Sequence, residues 1–347
     1  MLIWKILKEA LEKGASDVML SPNSHPCLKV NWEVLFLDNY EIFSREELNK
    51  EVLWIMKDFQ KEDFLKNLEL DFWVDLKGYS RFRVNAFVQK NWYGAVFRPI
   101  KSLVPSFKDL YLPKEVLDLT KNKNGLILIT WAVWSGKSTT LASLIDHINN
   151  DSNKHIITIE DPIEFVFDNK NCLIDQREVW TNTLSFYNWL KYALRQSSDV
   201  VMIWEMRDLD TFRLALRAAE TWNLVFATLH TSWAARTVSR IIDMFPAEEK
   251  EQIKAQLSES LVWVVWQDLI KRKDWKWRVV STEVLVNNVS ISNMIRKGLV
   301  HQIDGVIETS VKDGMIPMKK SLENLYSKWF ISKEDLFYNL EHIWKIL

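Results

Sequence analysis

A chain of 347 residues is long enough for two domains with separate cores, and its 48% hydrophobic and 26% charged content is ordinary for a globular protein. With 45 basic against 46 acidic residues and a net charge of -1, it lacks the basic excess of a nucleic-acid binder, so no nucleic-acid partner is expected. Its two cysteines, Cys27 and Cys172, form no CxxC pair, which argues against a structural zinc element and a disulfide scaffold.

Residues 1–14 read as an amphipathic helix with Leu2, Ile3, Ile6, Leu7 and Leu11 on one side. Lysines and glutamates are scattered through it, unlike the apolar core of a signal peptide. No apolar run reaches the roughly 18 residues of a membrane span, so a cytoplasmic location without direct membrane insertion is expected. Residues 28–30 and 33–37 read as a hairpin around Asn31-Trp32. A helix is expected over 45–68, opened by Ser44 and Glu47 at capping-box spacing. Residues 71–74 and 81–87 (RFRVNAF) alternate as strands around a turn at Lys77-Gly78, and a third strand is expected over 93–98. Residues 1–98 thus read as an α+β domain, and the proline-rich stretch 99–113 as a linker.

Beyond the linker, in a domain expected over 114–347, the pattern changes. Short apolar runs at 126–130 (LILIT), 156–160 (IITIE), 200–203 (VVMI) and 224–229 (LVFATL) alternate with helical segments near 137–150, 184–196 and 208–221. Buried strands separated by helices imply an α/β fold with a mainly parallel sheet covered on both faces. From about 247 the chain is expected to turn helical, over 247–266, 291–297 and 332–346.

Tryptophan usage is abnormal. There are 18 Trp and only 8 Gly, where a glycine share of about 7% is usual. Together they make 26 of 347, an ordinary glycine share. Several tryptophans also stand where turn chemistry calls for glycine: Asn31-Trp32, Asp274-Trp275-Lys276-Trp277 and Lys328-Trp329. A gene whose UGA codons mean glycine, decoded with UGA as tryptophan, produces this pattern, and many of these positions are expected to be glycine. The other reading is a chain that is truly rich in tryptophan.

The strand at 126–130 runs into Trp131, Ala132, Val133, Trp134, Ser135, Gly136, Lys137, Ser138 and Thr139, ahead of a helix. The phosphate-binding pattern G-x-x-x-x-G-K-[ST] is met at Gly136, Lys137 and Ser138, with Trp131 at the first glycine position. Glycine at 131 and 134 completes it. The loop must wrap phosphates with backbone N–H groups, which a Cβ at a crowded position obstructs. Lys137 then bridges the β- and γ-phosphates of ATP and Ser138 ligates Mg²⁺.

Three further strand ends carry candidates. Glu205 follows the strand at 200–203, where ligands bind in parallel sheets, and can orient or deprotonate an attacking water. Glu160, Asp161 and Glu164 surround Pro162, and can polarise water or hold Mg²⁺ through its water shell, Asp161 being the candidate metal contact. His230 closes the strand at 224–229, placed to sense a γ-phosphate. Each also admits a plainer reading, as a helix cap, an exposed acidic turn or a structural histidine.

In order, LILITWAVWSGKSTT, TIEDPIEF, QREV, VVMIWEMRDLDT, LALRAAETWNLVFATLHT, RIIDMFPAEEK and QLSESL resemble the Walker A, Asp-box, Walker B and His-box blocks of PilT-type ATPases of the secretion ATPase superfamily. KGASDVML and RFRVNAF extend the resemblance through the first domain, so it covers essentially the whole chain. It implies a PAS-like N-terminal domain joined to a RecA-like P-loop NTPase core, assembled as a homo-hexamer with ATP at the subunit junctions. Such a ring would power type IV pilus retraction (twitching motility), docked on a platform protein at the inner face of the cell membrane. Arg81, Arg83 and Arg98 match arginines that help close the site onto the γ-phosphate. In that family glycine stands at the positions of Trp131, Trp134, Trp204 and Trp222 and in the run at 275–277. Asn223 departs from the pattern by replacing the first histidine of the His box. In the stretch 290–297, Asn293, Ile295 and Arg296 are kept and an arginine is lost. The missing zinc element and long N-terminal extension weigh against pilus-assembly, type II secretion and DNA-uptake relatives, which remain the alternative. If the loop tryptophans are real, a non-hydrolysing ring subunit is the further one.

Overall fold

The structure, a computed structural model, describes residues 2–30, 33–90, 92–100, 104–131, 137–179, 182–183, 185–206, 208–274 and 278–346. The expected turns at Trp32 and over 275–277 lie outside them. The chain divides into two compact units, Met1–Leu103 and Val104–Leu347.

The first unit opens with helix α1 (Leu2–Glu12), which buries Ile3, Ile6, Leu7 and Ala10 at helical spacing. Strands β1 (Asp17–Leu20), β2 (Cys27–Val30) and β3 (Glu33–Phe36) follow, then helices α2 (Arg45–Trp54) and α3 (Asp58–Asn67), then β4 (Glu69–Leu76), β5 (Ser80–Gln89) and β6 (Trp92–Pro99). The strands form one antiparallel sheet in the order β3-β2-β1-β6-β5-β4. The capping box at α2 is formed: the Glu47 N–H donates to Ser44 Oγ at 3.2 Å, and the Ser44 N–H donates to the Glu47 carboxylate at 2.9 Å. The single helix expected over 45–68 is two helices. Lys57 is extended, and its N–H donates to the Gln60 side chain at 2.9 Å, which starts a new helix there. In β5 the alternation is clean, with Phe82, Val84 and Ala86 buried against the helices.

The second unit is mixed α/β. It runs through α4 (Lys114–Asp118), β7 (Gly125–Trp131), α5 (Lys137–Asp151), β8 (His155–Glu160), β9 (Leu173–Glu178), α6 (Phe186–Ala193), β10 (Val200–Ile203), α7 (Leu209–Glu220) and β11 (Leu224–Leu229). It continues with α8 (Ala234–Met244), α9 (Lys250–Ser260), β12 (Leu261–Lys271), β13 (Arg278–Val286), α10 (Val289–Lys297), α11 (Ile303–Thr309), α12 (Met318–Ser327) and α13 (Lys333–Ile346). The seven strands are ordered β13-β12-β7-β11-β10-β8-β9, all parallel except β13. Along β7, Leu126 and Leu128 face the core shared with α7 and α8, while Ile127 and Ile129 face α5 at Leu141, Leu144 and Ile145. Both faces are therefore covered, and each such fully buried side chain contributes about 1.5–3 kcal/mol. The expected helix over 247–266 ends at Ser260. Leu261, Val262, Trp263, Val264 and Val265 belong to β12 because β-branched and aromatic side chains pair well between β7 and β13. Strands β9 and β13 have no counterpart in the sequence expectations.

Candidate nucleotide site

In a parallel sheet all strands point their carboxyl ends one way, and the groups just past those ends share an edge. Register makes this concrete: Ile203 pairs with Ala227 on one side and with Ile159 on the other, and Thr130 pairs with Leu229. Thr130, Glu160, Glu205 and His230 are thereby brought to one edge. Between the strand that enters the glycine-lysine-serine loop and the strand that ends at Glu205 lies β11, whose end carries His230.

The loop itself, at 132–136 (Ala132, Val133, Trp134, Ser135, Gly136), lies outside the described residues, as do the side chains of Trp131 and Lys137. Helix α5 starts directly after it, at Lys137, so the free N–H groups and positive dipole end of the helix face the position of the loop. Ser138 is buried in the first turn of α5 and Thr139 half-buried beside it.

Glu160 is 1% exposed at the end of β8. Thr158 Oγ1 donates to its carboxylate at 2.7 Å and Gln176 Nε2 at 3.0 Å. Burial outweighs these donors and pushes its pKa up to about 7. Asp161 and Glu164 are half-buried in the following turn, which is anchored where the Ile163 N–H donates to buried Glu178 at 3.2 Å.

Glu205 and His230 meet. Nε2 of His230 stands 3.4 Å from Oε1 of Glu205, with the histidine largely exposed and the carboxylate mostly covered. The Glu205 loop is pinned on both sides: the Trp204 N–H donates to the Ile159 carbonyl at 2.9 Å and the Met206 N–H to the Thr228 carbonyl at 3.2 Å. Asp208 then caps α7, accepting from the Thr211 N–H at 2.8 Å. Asn223 sits at the opposite end of β11 from His230. Its amide donates to the Ser198 carbonyl and, at 3.1 Å, to Ser198 Oγ, tying the start of β11 to the entry of β10.

Residues that sequence reasoning did not single out join the same edge. Thr237, fully buried in α8, lies 2.6 Å from Thr231 Oγ1 and 3.5 Å from Thr130 Oγ1, and donates to the Trp233 carbonyl at 2.9 Å. One hydroxyl thus joins the end of β7, the residue after His230 and the start of α8. Glu283 on β13 accepts from the Ala234 N–H at 2.9 Å, and burial pushes its pKa up to about 8. The only sequence signal was polar residues inside apolar runs.

In the first unit, Arg81 and Arg83 alternate with the buried residues of β5, and Arg83 pairs across the sheet with Arg98 of β6. All three lie on the sheet face away from the Phe82–Val84–Ala86 core. Each has a carboxylate partner: Asp75 at 3.5 Å, Asp71 at 3.1 Å and Asp17 at 2.8 Å respectively. Arg81 also stacks over the Trp73 ring, 5.0 Å from its centroid.

The oxygen ligands collected at the strand ends suit a hard cation, not a soft metal. Among the described residues no three His, Cys, Asp or Glu converge on a metal by themselves. Of the two residues expected to meet Mg²⁺, Ser138 is buried in the first turn of α5 and Asp161 is half-buried in the turn after β8.

Residues 107–312 match the family described as Type II/IV secretion system protein. The Type IV pilus retractation ATPase PilT of Pseudomonas aeruginosa is 43% identical over 96% of both chains. A twitching motility protein of Neisseria gonorrhoeae is 45% identical over 89% of this chain and 82% of its own length. Among solved structures, the pilus retraction motor PilT with bound ADP superposes with a TM-score of 0.90 at 40% identity, covering 96% of this chain and 95% of that one.

Proposed function

Since this chain belongs to the Type II/IV secretion system protein family and within it is of the PilT type, we propose that it is a hexameric motor that hydrolyses Mg-ATP to drive type IV pilus retraction. The observation that carries the reading is the approach of His230 to Glu205 at the strand edge that also bears the glycine-lysine-serine loop. No helix among the described residues is long and apolar enough to cross a membrane. The proposed motor docks on a membrane platform protein from the cytoplasmic side.

In this reading Lys137 and the backbone N–H groups of residues 131–139 hold the β- and γ-phosphates, and Ser138 holds Mg²⁺. Mg²⁺, when bound, neutralises charge on the phosphate oxygens. Glu205 orients the attacking water and accepts its proton, and His230 reports the presence of the γ-phosphate through its contact with Glu205. Glu160 and Glu164 polarise water beside the Asp161 turn. Arg81, Arg83 and Arg98 supply planar cations to the γ-phosphate, exchanging their present carboxylate partners for phosphate oxygens.

The test compares nucleotide binding and phosphate release by the Trp131→Gly/Trp134→Gly chain and by the chain with both tryptophans. The glycine chain is expected to bind and hydrolyse Mg-ATP. Binding without hydrolysis by every version makes the protein a passive ring subunit, and no binding at all ends the motor reading.

A further inference from the structure

The backbone itself states which residue several tryptophan positions require. We infer that the working polypeptide carries glycine at positions 222, 233 and 329, through a UGA codon read as glycine. Among the described residues eight that are not glycine have a positive φ, and three of the eight are tryptophan: Trp222 at 84°, Trp233 at 65° and Trp329 at 63°. Tryptophan makes up only 18 of the 347 residues, so left-handed backbone selects these positions far above their share. In that region the Cβ of an L-residue crowds the neighbouring carbonyl oxygen, and glycine alone escapes the cost.

The chain contains its own control. Helix α10 ends with Gly298 at φ 71°, the Gly298 N–H donating to Ile295 O at 3.1 Å and the Leu299 N–H to Met294 O at 2.8 Å. This is the helix-ending motif that favours glycine at its left-handed residue. Helix α12 ends with the same pair of bonds: the Trp329 N–H donates to Tyr326 O at 2.9 Å and the Phe330 N–H to Leu325 O at 3.0 Å. Helix α7 ends with the Asn223 N–H donating to Ala218 O at 3.3 Å, again around the left-handed residue, Trp222. Helix α1 ends in the same way at Gly14, φ 64°, with the Gly14 N–H donating to Leu11 O at 3.1 Å and the Ala15 N–H to Ala10 O at 2.9 Å. Among the described residues the paired geometry thus occurs twice with glycine and once with tryptophan, at 329, and its longer bond recurs around Trp222.

At 222 and 329 burial offers no reason for an indole. Trp222 is 87% exposed and Trp329 75% exposed, and the ring of Trp329 meets a lysine ammonium, that of Lys273, at 4.9 Å. Trp233 is buried, stacked on Trp266 at 4.4 Å, yet neither indole N–H has a hydrogen-bond partner. A buried N–H without a partner is itself a cost. The same decoding at 131 and 134 turns the loop into G-A-V-G-S-G-K-S, but the inference at 222, 233 and 329 stands on backbone geometry and does not depend on the proposed function.

Two measurements test it. Peptide masses of the protein isolated from the cells that make it are expected to show glycine at 222, 233 and 329; tryptophan at those positions overturns the inference. In recombinant chains, Trp222→Gly and Trp329→Gly are each expected to raise the melting temperature, by about 2–4 °C. An unchanged or lower melting temperature in both variants overturns the argument from backbone strain.

Discussion

His230 and Glu205 are 25 residues apart in sequence, yet Nε2 of the one stands 3.4 Å from Oε1 of the other. Neighbouring parallel strands explain it: β10 and β11 run side by side, with Ile203 opposite Ala227, so the residues just past their ends emerge together.

That arrangement predicts a separation of binding from turnover. Glu205→Gln keeps the shape and loses the base, so phosphate release should fall about 10²–10⁴-fold, the usual contribution of a general base, while nucleotide affinity is retained. Phosphate release and nucleotide titration on the same preparation check this. Turnover like that of the parent chain would remove Glu205 from its role.

Glu160 makes stability depend on pH in a defined window. Its folded pKa, about 7, lies above the ordinary value of 4.5 because burial penalises the charge. A carboxyl raised in the folded state favours folding fully at pH below 4.5, and that contribution is lost as pH rises to about 7, at up to about 1.4 kcal/mol per pH unit. Glu160→Gln removes the titrating group, so denaturant midpoints between pH 5 and 7 should depend less on pH in the variant than in the parent. An identical slope in both would show that the group does not titrate in that window.

Glu283 offers a related contrast with a different outcome for two substitutions. Its carboxyl caps the first turn of α8 through the Ala234 N–H, with its pKa raised to about 8 by burial. Glu283→Gln keeps an acceptor and removes the buried charge, so above about pH 8 it should be at least as stable as the parent. Glu283→Leu leaves the N–H without a partner and should cost about 1–3 kcal/mol at low pH, where the parent carboxyl is neutral, and less as pH rises toward 8 and the parent loses the stability of its neutral buried carboxyl. Equilibrium unfolding of both variants at pH 6 and pH 9 distinguishes these effects.

Thr237 carries a single hydroxyl proton, and the nearby Trp233 carbonyl takes it at 2.9 Å. Thr231 therefore donates to Thr237, fixing the residue after His230 against the first turn of α8. Thr237→Val deletes that hydroxyl at nearly constant volume. In the hydrolysing chain it should lower kcat about tenfold with little change in the KM for ATP, and Thr237→Ser should restore turnover. Equal activity in the valine and serine variants would mean that the hydroxyl does no positioning.

Much of the second unit was legible in the order of its residues. Four apolar, β-branched runs bounded by helices are β7, β8, β10 and β11 with nearly unchanged limits, because a strand buried on both faces must be apolar along its length. The capping box at Ser44 and Glu47 was equally plain, since it depends on residues three apart. Where length-limited cues competed, they misled. The run from 261 follows a helix without a break in hydrophobicity and reads as its continuation, but it is β12 because β7 and β13 stand ready to pair with it. Strand β9 spans six residues and buries only Ile174 and Glu178, too weak a pattern to stand out unless the edge of β8 is known.

What the amino-acid order determined by itself was therefore local or repetitive: periodicity, caps, the glycine-lysine-serine loop ahead of a helix, and carboxylates and a histidine just past apolar runs. Only the tertiary structure decided which of those groups meet. It put His230 on Glu205, drew Thr237 between Thr130 and Thr231, and enclosed Glu160 deeply enough to raise its pKa. It also placed three arginines on one sheet face and three tryptophans on left-handed backbone. The reason is strand order and register: these are contacts between segments distant in sequence, and they exist only once the sheet has chosen its neighbours.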